Sequence, residues 1–282
     1  MTPLFRARHE AMATVFEIII AQEGIDSAYA GNVADAVFAE IDRLEDELSR
    51  FRPMSDIWRV NHLRKGEKAP VGLAATDCLS LAKAVHAETG GAFDITIGPL
   101  MKIYRNDDGS PRTPQEEEEA FARQRVGIHV FDLDDAGFVT AHVDYPLLDL
   151  GAVGKGYALD QAVQVLEDWS ITNALLNAGD SSILAVGAPP GDEGWIVTVG
   201  NKEKIPLRLT DRAVSGSGFQ VKGAHIMNPR IMKPIPVSKD RIWASAPTAA
   251  LSDALSTAFT VMSRQETVAF CTRHSEVEAI WE

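Results

Sequence analysis

The chain has 282 residues, of which 45% are hydrophobic, enough to bury a substantial core. Its formal net charge of −13 argues against a general attraction to nucleic acid or to anionic membranes, so we expect no nucleic-acid partner. A polyanionic substrate would need a local cation or a bound metal. The two cysteines, Cys78 and Cys271, lack the spacing of a zinc site and argue against a disulfide framework.

The first residues of the chain bear on its location. Arg6, Arg8 and Glu10 interrupt the apolar stretch that a signal peptide would need. The longest apolar runs, such as residues 16–21, are strand-sized and too short to cross a bilayer. We therefore expect no transmembrane segment and, for the chain as written, a cytoplasmic location.

In the first half of the chain, residues 15–21 are β-branched and aromatic and predict a strand. A long amphipathic helix is predicted next and should end near Phe51, because apolar residues recur there at helical spacing. These residues are Val33, Val37, Ile41, Leu44 and Leu48. A second helix is predicted over residues 76–89, and a short third one from an N-cap at Thr113 with Pro114 in its first position.

In the second half, helical spacing predicts a helix over residues 157–169 and another over residues 249–262. Short strands are expected at residues 174–176, 182–186, 195–199 and 277–281, in hairpins separated by Gly, Pro and Asp. Helices and strands mix without a regular βαβ repeat, which favours the α+β class. No linker divides the chain convincingly, so we expect a single domain over residues 1–282.

Three segments combine glycine with carboxylates, hydroxyls or lysine, and a fourth combines a carboxylate with hydroxyls. The sequence GGAFDIT at residues 90–96 has a plain interpretation, a helix C-cap that enters a strand. The sequence DLGAVGKGYALD at residues 149–160 places small residues and Lys155 before a helix, as a phosphate site would, but it matches neither a Walker loop nor GxGxxG. A structural loop is an equally good interpretation.

The third segment is SGSGF at residues 215–219, followed by HIMNPR at residues 225–230. The fourth is SDALST at residues 252–257, in which Asp253 and Thr257 lie one helical turn apart. A carboxylate and a hydroxyl at that spacing can hold a hard cation through oxygen, with waters and phosphates as further ligands. The alternative is a hydrogen-bonded pair on a helix.

The order of these segments resembles that of the ApbE family, the FAD:protein FMN transferases, from about Met12 to Met262. GAFDITIGPL at residues 91–100 is similar to the family's GAFDPTVGPL, and residues 149–160 are similar to DLGGIAKGYAVD. Residues 251–262 resemble ADALSTALFVMG. Met12-Ala13-Thr14, residues 48–53 and the pair Gly179-Asp180 follow the family's other motifs.

The resemblance implies an α+β fold, FAD as substrate, Mg²⁺ as cofactor, and an acceptor protein flavinylated on a Thr or Ser hydroxyl. Many members of that family are exported. The residues implied to line the flavin cleft are Met12, Phe51, Ala92, Phe93, Asp94, Asp149, Lys155 and His225. The implied metal ligands are Asp253, Thr257 and the backbone carbonyl of Ala152. Asp253, His225 and Lys155 are the implied catalytic residues, with His225 and Asp253 both candidates for the general base.

The chain also departs from the family pattern. Gly216 stands where the family has the threonine of TSG, Asn228 replaces an aspartate, and Ile231-Met232 replace a Thr-Gly pair. Ala13 replaces a glycine, Ile95 a proline, and Phe51 a frequent tyrosine. These departures leave a second hypothesis open, a relative that binds FAD or hydrolyses it to FMN and AMP without labelling a protein. A protein interaction module without flavin is the third.

Overall fold

The computed structural model describes residues 4–106, 108–179, 181–200, 203–217, 226–235 and 241–282. Eight α-helices lie among these residues: α1 (Ser27–Leu48), α2 (Asp56–Asn61), α3 (Leu73–Glu88), α4 (Gly98–Ile103), α5 (Glu116–Arg123), α6 (Gly154–Asp168), α7 (Ala249–Val261) and α8 (Arg264–Arg273). A single 3₁₀ turn among the described residues covers Ile128–Val130.

The strands are short and all pair in antiparallel fashion. They are β1 (Phe5–Ala11), β2 (Thr14–Ile20), β3 (Lys68–Pro70), β4 (Phe131–Leu133), β5 (Phe138–Ala141), β6 (Ala174–Ala178), β7 (Ser182–Val186), β8 (Trp195–Val199), β9 (Ile205–Leu209), β10 (Arg212–Ser217), β11 (Met227–Asn228), β12 (Lys233–Pro234), β13 (Ile242–Ala246) and β14 (Glu278–Trp281). Together with the helices they confirm the predicted α+β class.

One sheet takes strands from both ends of the chain, in the order β1-β2-β6-β7-β10-β13-β14. Three smaller sheets hold the rest: β3-β5-β4, and the two-stranded ribbons β8-β9 and β11-β12. On one face of the large sheet, α1, α6 and α7 cover the main apolar core, which includes Phe16, Ile18 and Leu255. On the other face, the β8-β9 ribbon covers a second core built around Trp195 and Trp243.

Helix α1 confirms the predicted apolar stripe. Its buried residues include all five that the spacing identified, and the Asp26 side chain caps its first turn by accepting from the Tyr29 amide. The helix ends at Leu48, before the expected Phe51, because Ser49 already adopts an extended backbone. The predicted helices at residues 76–89, 157–169 and 249–262 correspond to α3, α6 and α7, with ends shifted by one to three residues.

Two local predictions are wrong. Helix α5 begins at Glu116 and not after Thr113, because Glu118 accepts a hydrogen bond from the Gln115 amide (2.8 Å) and moves the capping box two residues along. The strand expected after the glycine pair at residues 90–91 does not form, since residues 92–97 are a loop that leads directly into α4.

The helices also bear on membrane insertion. Within the described part of the chain, none of them is both long and apolar enough to cross a membrane.

Candidate active site

Helix α7 carries Asp253 and Thr257, and its first turn is tied to α6. The carboxylate of Asp160 accepts hydrogen bonds from the amides of Ala249 (2.7 Å) and Ala250 (2.9 Å). These amides have no partner inside the helix, so Asp160 caps α7 from a neighbouring element. Burial outweighs these two bonds and raises the pKa of Asp160 to about 6, with the charge of Asp253 adding to the rise. Asp160 closes the motif at residues 149–160, but nothing in its local sequence indicates this capping role.

Close contact between the two helices depends on a residue without a side chain. A Cβ atom at Gly156 would lie 2.2 Å from the carbonyl oxygen of Ala249, which no side chain could tolerate. Gly156 therefore lets the first turn of α6 touch the first turn of α7. This contact places the loop at residues 149–153 beside the Asp253 side chain.

Lys155 and Asp253, predicted from different motifs, meet at this contact. The Lys155 ammonium lies 3.4 Å from Oδ2 of Asp253 and donates to the carbonyl of Gly151 (3.0 Å). The Gly156 amide also donates to Oδ2 of Asp253 (3.3 Å). The Asp253 side chain is only 6% exposed. Its buried negative charge is balanced by the Lys155 ammonium and by the positive amino end of the α6 dipole. The structure thus brings together two of the three predicted catalytic residues.

Three hydroxyls continue the polar surface of α7 toward the large sheet. The Ser217 hydroxyl, at the end of β10, lies 2.8 Å from that of Thr257 and 2.9 Å from that of Ser256. The Ser256 hydroxyl donates to the carbonyl of Asp253 (2.8 Å). Ser217 thus belongs to the same polar cluster as Thr257, a contact that sequence spacing on one helix could not reveal.

Asp149 links two other predicted segments to this loop. Its amide donates to the carbonyl of Ile95 (2.8 Å), and its carboxylate lies 3.2 Å from Nε of Arg50 as an ion pair without an aligned hydrogen bond. The next residue, Phe51, is 75% exposed, with the Arg50 guanidinium 4.3 Å from the centre of its ring. One face of this exposed ring lies against Arg50, and the other face is open to stack on a planar ligand.

The segment at residues 92–94 turns its side chains inward. Ala92 and Phe93 are 1% and 2% exposed and pack in the main core. Asp94 is 7% exposed and accepts from the amide and hydroxyl of Thr96 (2.7 and 2.6 Å), while Nδ1 of His86 donates to the carbonyl of Phe93 (2.8 Å). Flavin contact by these three residues stays a prediction, and the two apolar ones offer almost no surface to a ligand.

Met12 lies in the two-residue turn of the β1-β2 hairpin. Met12 and Ala13 have φ angles of +50° and +56°, the left-handed pair that tight hairpins require. The Gly179 amide donates to the carbonyl of Val15 (2.9 Å), which sets the start of β2 beside the end of β6. His225, predicted as a flavin and catalytic residue, lies outside the described residues.

The predicted metal ligands fit a hard divalent cation in donor type. Asp253 offers a carboxylate, Thr257 a hydroxyl and Ala152 a backbone carbonyl, and magnesium prefers such oxygen donors. The Asp253 carboxylate already contacts one cation, the Lys155 ammonium. That ammonium also donates to the carbonyl of Gly151, in the loop before α6. No cluster of three or more His, Cys, Asp or Glu suited to a metal occurs in the described ranges, so a single carboxylate would carry most of the binding.

A family model described as the ApbE family matches residues 12–281, nearly the whole chain. The chain belongs to the ApbE family.

Relatives and solved structures agree with this assignment. The chain is 27% identical over 264 residues to the FAD:protein FMN transferase of Klebsiella pneumoniae, covering 86% of this chain and 75% of that protein. It is 26% identical over 278 residues to the FAD:protein FMN transferase of Salmonella typhimurium, covering 91% and 78%. The crystal structure of Pseudomonas stutzeri flavinyl transferase ApbE in its apo form superposes with a TM-score of 0.88 at 22% identity, covering 99% of this chain and 90% of that one. This structural likeness shows the fold.

The departures from the ApbE pattern have local structural explanations. Gly216 faces Trp243 across the β10-β13 pair, and a Cβ atom there would lie 2.5 Å from the indole ring. Trp243 belongs to the second core, on the sheet face away from α7. The loss of threonine at Gly216 is therefore a packing change on the far face, and Ser217 keeps its place beside Thr257.

Three further departures, at Asn228, Met232 and Ala13, lie in or beside turns. The side-chain oxygen of Asn228 accepts from the Arg230 amide (3.0 Å), a turn bond that aspartate could make equally well. Met232 and Ala13, which replace glycines of the pattern, keep left-handed φ angles of +55° and +56°. These two positions preserve the glycine backbone and are strained.

Proposed function

We propose that this chain is an FAD:protein FMN transferase, which moves FMN from FAD to a Thr or Ser hydroxyl of an acceptor protein through a phosphoester bond. AMP is the released product and Mg²⁺ the cofactor. Membership of the ApbE family supports the proposal, and the observation that carries it is the contact between Lys155 and Asp253. This contact joins the two motifs that a phosphate and a cation would need.

In the proposed reaction the acceptor oxygen bonds to the FMN phosphorus, and the bond from that phosphorus to the bridging oxygen breaks so that AMP leaves with the electron pair. Lys155 supplies positive charge to a substrate that the net charge of −13 would otherwise repel. Asp253, Thr257 and the carbonyl of Ala152 would hold Mg²⁺, which when bound neutralises phosphate charge. The exposed ring of Phe51 offers a stacking surface for the isoalloxazine.

Two residues are candidates for removing the proton of the acceptor hydroxyl. Asp253 already balances Lys155 and would serve the metal, so a second task as base would compete with its charge pairing. His225 is the other candidate. The pH profile of transfer by a His225→Ala variant tests this candidate, because replacing the base removes the acidic limb of the profile for turnover, whereas an acidic limb that persists would favour Asp253.

The proposal is tested by incubating the purified chain with FAD, Mg²⁺ and a candidate acceptor protein, followed by a denaturing gel scanned for flavin fluorescence. A fluorescent band at the acceptor mass, together with AMP in the supernatant, is the expected result. The matched control replaces the target Thr or Ser of the acceptor by Ala. FMN and AMP without a labelled band would favour the hydrolase hypothesis, and failure to retain FAD would overturn both.

A further inference from the structure

Arg230 lies in the turn between β11 and β12 and reaches across to two other elements. Its Nε donates to the carbonyl of Gly90 (3.0 Å) and its Nη2 to the carbonyl of Thr89 (2.5 Å). Its Nη1 lies 2.6 Å from Oε1 of Glu266. Each of the three guanidinium nitrogens therefore has a hydrogen-bond partner, an arrangement that lysine could not reproduce.

Each partner of Arg230 belongs to a helix end. Thr89 and Gly90 follow the last residue of α3, where backbone carbonyls lack helical partners. Glu266 is part of the capping box of α8, and its other oxygen accepts from the Ser263 amide (2.7 Å). One side chain thus fastens the β11-β12 ribbon to the carboxyl end of α3 and the amino end of α8.

The ribbon has little stability of its own. Among the described residues its ladder consists of two pairs, Met227 with Pro234 and Asn228 with Lys233. A two-stranded pairing this short does not persist in water without tertiary support. That support comes from Met227 and Met232, which pack with Leu100, and from Arg230.

Arg230 also contacts a segment that leads into the candidate site. Thr89 and Gly90 directly precede residues 92–94, and the next residue, Ile95, accepts from the Asp149 amide (2.8 Å). A shift of the turn at residues 89–91 would pass along the backbone to Asp94 and, through Ile95, to Asp149. The ion pair between Asp149 and Arg50 beside Phe51 would move with it.

We propose that Arg230 is a positioning residue for flavin transfer, which holds the turn at residues 89–91 so that Asp94 and Asp149 keep their places at the flavin site. This inference rests on the proposed function. Arg230 acts through the two carbonyls and does not contact the reacting atoms.

The test compares Arg230→Ala, Arg230→Lys and Glu266→Gln with a matched control, Arg212→Ala. Arg212 is buried to a similar degree, with 26% side-chain exposure against 29% for Arg230. Like Arg230 it donates to two carbonyls, and its third hydrogen bond goes to a hydroxyl. It stands at the opposite end of β10 from Ser217, about 17 Å away at the usual strand rise. Glu266→Gln keeps an acceptor for the Ser263 amide and so keeps the cap.

Four measurements are made on each variant: kcat and KM for FAD in the transfer assay, the dissociation constant for FAD, the melting temperature, and hydrogen exchange of peptides covering residues 86–100 and 226–235. We expect Arg230→Ala to lose about 10- to 100-fold in kcat/KM, since small misplacements at a site have effects of that size. Exchange should accelerate in both peptides. Arg230→Lys should recover only part of the loss and Glu266→Gln most of it, while Arg212→Ala should leave kcat/KM within about twofold of the unaltered chain.

The inference falls if Arg230→Ala and Arg212→Ala lose activity equally at equal loss of melting temperature, because the role would then be general stability. It also falls if exchange in residues 86–100 is unchanged in Arg230→Ala. If the unaltered chain transfers no flavin, the proposed function fails by itself. FAD affinity and exchange then still decide whether Arg230 positions this segment.

Discussion

Replacing Gly216 by Thr, the residue of the family pattern, should destabilise this chain through a clash with Trp243. A Cβ atom at Gly216 would lie 2.5, 2.6 and 2.7 Å from Cε3, Cδ2 and Cζ3 of the indole. The ring cannot retreat freely, because it is 5% exposed and packed under the β8-β9 ribbon. Overpacking of this kind costs about 2–3 kcal/mol, and the better strand preference of Thr offsets about 1 kcal/mol. The expected net loss is about 1–2 kcal/mol.

The measurement is a double-mutant cycle by urea unfolding of the unaltered chain, Gly216→Thr, Trp243→Val and the double variant. Trp243→Val alone opens a cavity and should cost about 2–4 kcal/mol. The indole Nε1 has no hydrogen-bond partner among the described residues, so the cavity is the main cost. In the double variant the threonine occupies part of the space that the indole leaves. The loss of unfolding free energy in the double variant should therefore be smaller than the sum of the two single losses by at least about 1 kcal/mol.

Additive losses, or a neutral Gly216→Thr, would refute the claim that Trp243 excludes a side chain at this position. The same four proteins test where the departure lies. FAD affinity should be equal in all of them, because Gly216 and Trp243 face away from α7. Altered FAD affinity in the folded single variants would place Gly216 at the flavin site.

Four further predictions follow from the site. Asp253→Ala should abolish magnesium-dependent AMP release, and Thr257→Val should weaken it. A double variant no worse than Asp253→Ala in a magnesium titration indicates one shared metal. An unchanged magnesium requirement in Asp253→Ala would end the assignment of Asp253 as a metal ligand. Excess chelator should stop turnover of the unaltered chain, and undiminished AMP release would remove the metal. The raised pKa of Asp160 means that its contribution to stability is present below about pH 4 and lost as pH rises through about 6. As pH rises from about 4 to above 6, the unfolding free energy of the unaltered chain should therefore fall by up to about 3 kcal/mol relative to that of Asp160→Asn, and parallel pH curves would contradict the shift. Ala13→Gly should raise the unfolding free energy by about 0.5–1 kcal/mol, since relief of the left-handed strain exceeds the added unfolded-state entropy; a melting temperature that falls would show that Ala13 is unstrained.

Periodicity in the sequence located the main helices because each buries one apolar stripe. The five apolar positions of α1 and the run of α7 illustrate this, since their spacing repeats over several turns. Strand β1 could not be predicted from an apolar run, because the charged residues Arg6, Arg8 and Glu10 occupy its exposed side. The same charges argue against a signal peptide. The shift of α5 arose from the pairing of Gln115 with Glu118, which competes with the equally plausible pattern at Thr113.

The residues of the candidate site could likewise be predicted only in part. Motif order brought Lys155 and Asp253 into one hypothesis, and the structure places them 3.4 Å apart. Asp160 as a cap of α7, Ser217 beside Thr257 and the contacts of Arg230 all join residues that are 36 to 141 positions apart. No local pattern encodes such partners, because they depend on how the helices cross the sheet.

The position of β2 in the large sheet has a consequence for synthesis of the protein. Its inner partner is β6, so that Phe16 pairs with Ala178 and Ile20 with Ala174. At typical ribosomal speeds of about 5–20 residues per second, roughly 10–30 s pass between the emergence of these two strands. During that interval the apolar stretch at residues 15–20 has only β1 beside it and presents an open edge of the kind that recruits foreign strands. Folding of such a long-range pairing is intrinsically slow, so the nascent hairpin stays open to chaperones until β6 pairs with it.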